Sequence, residues 1–152
     1  MPGAQMRHRT LVAARPEVWP AIQSMLADAD GMQLIPAHTG ADAFRALERE
    51  KIDLIICTVG FEESQMMDFL QAVKASAFAS IPFLCSRVLP GFMRDAFVSA
   101  MSDACKACGA DFVDVARLPA DSAKSELLAA VATCLDKTSV QSNAQKISFS
   151  AS

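Results

Sequence analysis

Short apolar runs alternate along the chain with segments whose apolar residues recur at helical spacing. The clearest run is Ile52–Cys57, which is apolar except at Asp53, rich in β-branched residues, too short for a helix, and followed by Thr58 and a turn at Gly60. An apolar run of this length predicts a strand buried on both faces, as at the centre of a parallel sheet. Ligands of such sheets bind beyond the carboxyl ends of the strands, so the pattern places any chemistry near Thr58.

The whole pattern predicts five strands that alternate with five helices. The predicted strands are residues 9–14, 32–37, 52–58, 81–86 and 110–115. The predicted helices are residues 17–27, 41–50, a segment after Ser64, 92–108 and 123–136, with Thr39, Ser64 and Asp121 as N-caps. Alternation of this kind predicts right-handed βαβ units in a three-layer α/β fold.

The pattern also predicts the domain organisation. Residues 8–136 carry all the predicted elements, and a chain of 152 residues is long enough for one domain with its own core. Residues 137–152 are mostly polar and show no periodicity. We therefore expect a single domain followed by a flexible C-terminal tail.

Composition and charge exclude several function classes. The net charge is −3 and no basic tract occurs, which argues against nucleic-acid binding. No apolar run approaches the roughly 20 residues needed to span a membrane, and the N-terminus lacks the apolar stretch of a secretory signal. We therefore expect a cytoplasmic protein with no membrane association.

Five cysteines are present, an odd number that favours free and mostly buried thiols. Cys105 and Cys108 form a C-x-x-C motif at the carboxyl end of a predicted helix, where the helix dipole raises a thiol pKa. No second pair of ligands has the spacing of a metal site. We predict no metal, no cofactor and no redox role for these residues.

The order and spacing of the elements resemble those of a response-regulator receiver domain, the CheY-like family with a flavodoxin-like fold. The segments that carry the resemblance are IDLIICTVGFEE, IPFLCS and GADFVDV, and the likeness extends over about residues 9–135. It implies a five-stranded parallel sheet of order 2-1-3-4-5. It also implies a place in bacterial two-component signal transduction, where receivers take part in a phosphorelay.

The residues that receiver chemistry requires are mostly replaced. The acidic pair that holds Mg²⁺ in the family falls on Ala13 and Ala14, the phosphoacceptor Asp on Thr58, and the Lys on Ala116, while the hydroxyl position is kept as Ser86. Alanine offers no oxygen ligand for a hard cation, and a threonine cannot form an acyl phosphate. The resemblance therefore implies a degenerate pseudo-receiver that is not an enzyme.

Three arginines follow these positions: Arg15, Arg87 and Arg117. One hypothesis is an anion site, in which the three guanidinium groups and the hydroxyls of Thr58 and Ser86 bind a phosphate or carboxylate. The other is that the arginines pair with the acidic loop that follows Thr58, or point to solvent. The second hypothesis is favoured, because surface ion pairs are common.

The predicted fourth helix carries more apolar surface than one buried face requires. Its apolar residues cover an arc of roughly 240° on an idealised wheel, against the stripe of about 100° or more of an ordinary surface helix. In the family this face, with the strand at residues 110–115, is a common dimer and output surface. We expect an interface, and a homodimer, at Phe92, Phe97, Val98, Met101 and Cys105.

These observations predict a stand-alone interaction module that binds a protein partner in bacterial signalling independently of phosphorylation. Two alternatives stay open. The first is a pseudo-receiver that senses an anion or small molecule at the arginine rim, the site formed by Arg15, Arg87 and Arg117. The second is a receiver regulated by unorthodox phosphorylation of Thr58 or Ser86.

Overall fold

The computed structural model describes residues 8–27, 29, 31–62, 65–91 and 93–151, with side chains up to residue 136. Over these residues five parallel strands form one sheet of order 2-1-3-4-5, which confirms the predicted fold. The strands are β1 His8–Ala13, β2 Met32–Ala37, β3 Leu54–Thr58, β4 Phe83–Arg87 and β5 Asp111–Asp114. The helices are α1 Trp19–Leu26, α2 Gly40–Arg49, α3 Met66–Lys74, α4 Val98–Ala107 and α5 Ala120–Ala151.

The central strands are buried because helices cover both faces of the sheet. Every residue of β3 is buried, as its apolar run predicts, and every residue of β4 is buried as well, including the polar Ser86 and Arg87. One face packs against α2, α3 and α4, and the other against α1 and α5. On the first face five phenylalanine rings form a cluster around Phe69, with centroid separations of 5.4 to 6.5 Å between contacting rings: Phe44, Phe61, Phe69, Phe78 and Phe83.

The predicted helix caps have different outcomes. Oγ1 of Thr39 accepts a hydrogen bond of 3.1 Å from the backbone N–H of Asp42, so this N-cap is confirmed. Asp121 is not a cap, because α5 begins at Ala120 and Asp121 lies inside its first turn. Ser64 lies outside the described residues.

The last helix is longer than its sequence pattern predicts. The apolar periodicity ends near Asp136, but the helical backbone of α5 continues to Ala151. The described side chains end at residue 136, so the predicted flexibility of residues 137–152 lies outside them and stays a prediction. No helix in the described part of the chain is long and apolar enough to cross a membrane.

The fourth helix begins six residues later than predicted, and an arginine explains the delay. Gly91 has φ +112° and Arg94 is extended, so the chain reaches α4 through an irregular loop and a 3₁₀ turn at Asp95–Phe97. The carbonyl of Met93, which a helix would pair with a backbone N–H, accepts a 3.1 Å hydrogen bond from Nη2 of Arg87 instead. The predicted helix over 92–108 is therefore wrong in its first part.

Candidate functional site

The carboxyl ends of β1, β3 and β4 bring the predicted pocket positions to one edge of the sheet. Ala13 is paired in register with Cys57, and Thr58 with Ser86. Ala13 and Ala14 are fully buried. Ala116 lies two residues beyond β5 and is half-buried.

Thr58 and Ser86 present two buried hydroxyls side by side. Both residues are almost completely inaccessible to solvent, and neither side-chain oxygen has a hydrogen-bond partner among the described residues. Their backbones are satisfied, since the carbonyl of Ser86 accepts from the N–H of Val59 and that of Thr58 from the N–H of Phe61. Buried hydroxyls without partners are uncommon in folded proteins, which makes this pair the unusual feature of the strand ends.

Arg87, the last residue of β4, is the largest buried polar side chain at this edge, with 2% of its side chain exposed. Nη2 donates 2.6 Å to Oδ1 of Asp95 and 3.1 Å to the carbonyl of Met93, and Nη1 donates 3.2 Å to Oδ2 of Asp114. These bonds tie the end of β4 to β5 and to the loop before α4. The position of that loop is thus set by an arginine inside the protein.

The charges of this cluster reinforce one another. Burial disfavours the charged form of Arg87, but the hydrogen bonds to Asp95 and Asp114 outweigh burial and raise the pKa of the guanidinium above its ordinary value. The hydrogen bond from Arg87, and then that from Arg117, hold the pKa of Asp95 below its usual range. Asp95 is therefore ionised at neutral pH.

The structure brings together two of the three predicted rim arginines. Arg117 contacts Asp95 through Nη2, at 3.1 Å from Oδ2, so Asp95 bridges Arg117 and Arg87. Arg15 lies after β1, which is separated from β4 by β3, a distance of about 10 Å. Nε of Arg15 donates 2.7 Å to Glu17, and this bond lowers the pKa of Glu17.

The favoured hypothesis paired the arginines with the acidic loop after β3 or left them in solvent, and within the described residues Glu62 of that loop forms no ion pair with them. Glu62 has φ +45°, a left-handed conformation, and its Oε2 accepts a 2.8 Å hydrogen bond from the backbone N–H of Gly40 at the start of α2. A carboxylate at a helix N-terminus is stabilised by the free N–H groups there. Glu63 lies outside the described residues.

The predicted interface on α4 is only partly a surface. Phe97 is 55% exposed, whereas Val98 and Met101 are half-buried. Cys105 is fully buried, with Sγ 3.8 Å from Sδ of Met67, so its place in an exposed strip is wrong. The helical wheel treated the arc beyond one buried stripe as exposed. A helix packed between α3 and β5 buries a wider arc than a helix on an open surface, so Cys105 is buried.

Two more residues, Phe92 and Leu118, bear on the predicted interface. Phe92 lies outside the described residues. Leu118, which no pattern in the sequence had indicated, is 39% exposed and follows Arg117. An apolar residue between Arg117 and Pro119, outside any predicted strand or helix, is the signal that could have identified it.

The cysteines are free thiols placed mainly in the core. Cys57 and Cys85 are register partners on β3 and β4, and Cys108 is the one cysteine of the five that is half-buried. Burial raises the pKa of Cys57, and a hydrogen bond between Cys85 and Cys105 raises the pKa of Cys85 and lowers that of Cys105. Among the side chains that the structure describes, no group of three His, Cys, Asp or Glu residues could hold a metal ion.

Comparison with known proteins gives structural neighbours only. No protein-family model and no curated protein sequence matches the chain. A response regulator from Thermotoga maritima superposes with TM-score 0.65 at 20% identity, covering 86% of this chain and 99% of the other. The chemotaxis response regulator CheY4 of Vibrio cholerae superposes with TM-score 0.60 at 17% identity, covering 81% of this chain and 97% of the other.

A third neighbour is the signal receiver domain of a signal transduction histidine kinase from Syntrophus aciditrophicus. It gives TM-score 0.63 at 21% identity, with coverages of 86% and 91%. At these identities the likeness establishes the fold that the chain shares with receiver domains.

Proposed function

We propose that the chain is a cytoplasmic pseudo-receiver that acts in bacterial signal transduction as a protein–protein interaction module, without enzymatic activity and independently of phosphorylation. The observation that carries this proposal is the composition of the strand ends. Ala13, Ala14, Thr58 and Ala116 stand where receiver chemistry needs carboxylates and an ammonium group. Without oxygen ligands for Mg²⁺ and without an acyl-phosphate acceptor, transfer of a phosphoryl group to β3 has no catalyst.

The ion-pair cluster at the end of β4 supports independence from phosphorylation. Arg87 holds the loop before α4 through Met93 and Asp95, and its charge is present at every physiological pH. The α4–β5 surface therefore keeps one arrangement in the absence of any modification.

The exposed apolar residues beside this cluster are the proposed contact surface. Phe97 and Leu118 are the two large apolar side chains that are exposed among the described residues. Phe97 ends the 3₁₀ turn that Arg87 holds through Asp95, and Leu118 follows Arg117, which pairs with the same Asp95. Large apolar side chains commonly act as anchors when they are buried in an interface, and we propose that these two contribute to a homodimer.

Sedimentation velocity at micromolar concentration, with and without acetyl phosphate and Mg²⁺, tests the proposal. We expect a dimer in both conditions and no added phosphate in the intact mass. Phe97→Ser should weaken the dimer by about tenfold or more, whereas Phe97→Leu, which keeps the apolar contact, should retain it. A stable phosphate on Thr58 or Ser86 would favour the alternative in which the protein is regulated by phosphorylation. A monomer under both conditions would contradict the proposed homodimer.

A further inference from the structure

Three arginines line an open cavity of about 500 Å³ beside the loop between β4 and α4. Its lining residues are Arg87, Gly91, Met93, Arg94, Asp95 and Arg117. The lining does not include Arg15, Thr58 or Ser86, which belong to the predicted anion site.

The charge of the lining favours an anion. Three guanidinium groups face a single carboxylate, that of Asp95. Asp114 pairs with Arg87 and lines a neighbouring cavity that shares Arg87, Asp95 and Arg117 with this one. At least one positive charge of the lining therefore has no counter-charge. Arg94 is exposed and forms no ion pair with any residue that the structure describes, so it is the arginine best placed to supply that charge.

The geometry supplies donors that are already held in place. Asp95 aligns Arg87 and Arg117 next to each other, with one oxygen 2.6 Å from the first and the other 3.1 Å from the second. Nε of Arg87 is buried and has no hydrogen-bond partner among the described residues. Because this atom is closed to solvent, Arg87 acts by holding Asp95 and Met93, and the donors open to a ligand are those of Arg94 and Arg117.

The backbone leaves the cavity accessible. Gly91 has φ +112°, a conformation that favours glycine, and no atom lies within 4 Å of the position that a Cβ would take. A ligand can therefore approach the chain closely at this turn. The volume lies within the range of about 300–1,000 Å³ that is typical of small-molecule sites.

We propose that this cavity is a binding site for a phosphoryl group, held by Arg94 and Arg117 at the surface, while Arg87 beneath them fixes the loop through Asp95 and the carbonyl of Met93. Guanidinium groups bind phosphate oxygens through paired, charge-assisted hydrogen bonds. The site is separate from the strand-end positions of receiver chemistry. It goes beyond the proposed interaction role, because it assigns a ligand class to the protein.

Isothermal titration calorimetry on the full chain tests the site, with orthophosphate and glycerol 3-phosphate as separate ligands at constant ionic strength. We expect saturable binding in the millimolar range or tighter. Arg94→Gln and Arg117→Gln should each weaken binding by about tenfold, the loss of one charge-assisted hydrogen bond. Equal affinity for the two ligands would identify the free anion as the ligand. Tighter binding of glycerol 3-phosphate would identify a phosphorylated small molecule as the ligand.

The matched control is Arg45→Gln, which removes an exposed arginine of α2 that is paired with Asp42. Binding should change by less than about twofold, because a remote surface charge is screened. Absence of saturable binding to both ligands would overturn the proposal, as would equal weakening by Arg45→Gln. Arg94 forms no ion pair within the described residues, so Arg94→Gln tests the site even if Arg117→Gln lowers stability.

Discussion

Nη2 of Arg87 lies 2.6 Å from Oδ1 of Asp95, and this ion pair joins a side chain that is 2% exposed to one that is 57% exposed. The buried partner belongs to a strand end and the exposed partner to the 3₁₀ turn before α4. The pair therefore sets the path of the loop that carries Phe97. Both proposals depend on this path, because it positions the exposed apolar residues and the arginine-lined cavity.

Asp95→Asn is expected to lower the free energy of unfolding. The substitution keeps the size of the side chain but removes the negative charge that Arg87 and Arg117 share. Arg87 retains Asp114 and the carbonyl of Met93, so the protein should still fold. Urea denaturation at neutral pH measures the effect, with Asp103→Asn, an exposed carboxylate on α4, as the control that should change nothing. Equal midpoints for the two variants would contradict the role of Asp95.

The effect of Asp95 is expected to depend on pH. Its folded pKa lies below the unfolded value of about 3.9, so the ionised carboxylate contributes stability above that value. The contribution is lost as the pH falls through the lowered folded pKa. The difference between wild type and Asp95→Asn should thus be complete at neutral pH and should close in acid, below about pH 4. A difference that stays constant in urea midpoints across this range would argue against the ion pair.

Thr58→Val is expected to raise the free energy of unfolding by about 1 kcal/mol. The variant has nearly the same shape and removes a buried hydroxyl that has no partner among the described residues. The contrasting control is Thr39→Val, which removes the N-cap of α2 and should cost about 1 kcal/mol. Thermal and urea unfolding of the two variants should shift in opposite directions. Loss of stability in Thr58→Val would show that this hydroxyl has a partner in solution.

Thiol labelling of the native protein is expected to modify Cys108 first. Cys108 is half-buried, while the other four cysteines are buried, and burial raises the pKa of Cys57, which disfavours its reactive thiolate. Alkylation followed by peptide mass spectrometry should find one modified thiol in the native state and five after denaturation. Rapid native labelling of Cys105, whose pKa is lowered by the bond from Cys85, would mean that α4 opens from the sheet.

Much of the fold could be predicted because its signals are local. The run Leu54–Cys57, just before Thr58, is apolar at every position, and such a run has few alternatives to a central strand. Thr39 was recognisable as a cap from its own residue type and its place before a helical segment. The strand order depended on the resemblance to receivers, and the observed sheet confirms it.

The residues at the carboxyl ends of the strands could be identified from the sequence, because strand position and residue type are local properties of the chain. Which residues they contact follows from the tertiary structure. Asp95 and Asp114 are close to Arg87 because a loop and a neighbouring strand converge on it, and no local pattern encodes that convergence. Cys105 is buried for the same reason, since burial depends on what packs against a helix as well as on the helix itself.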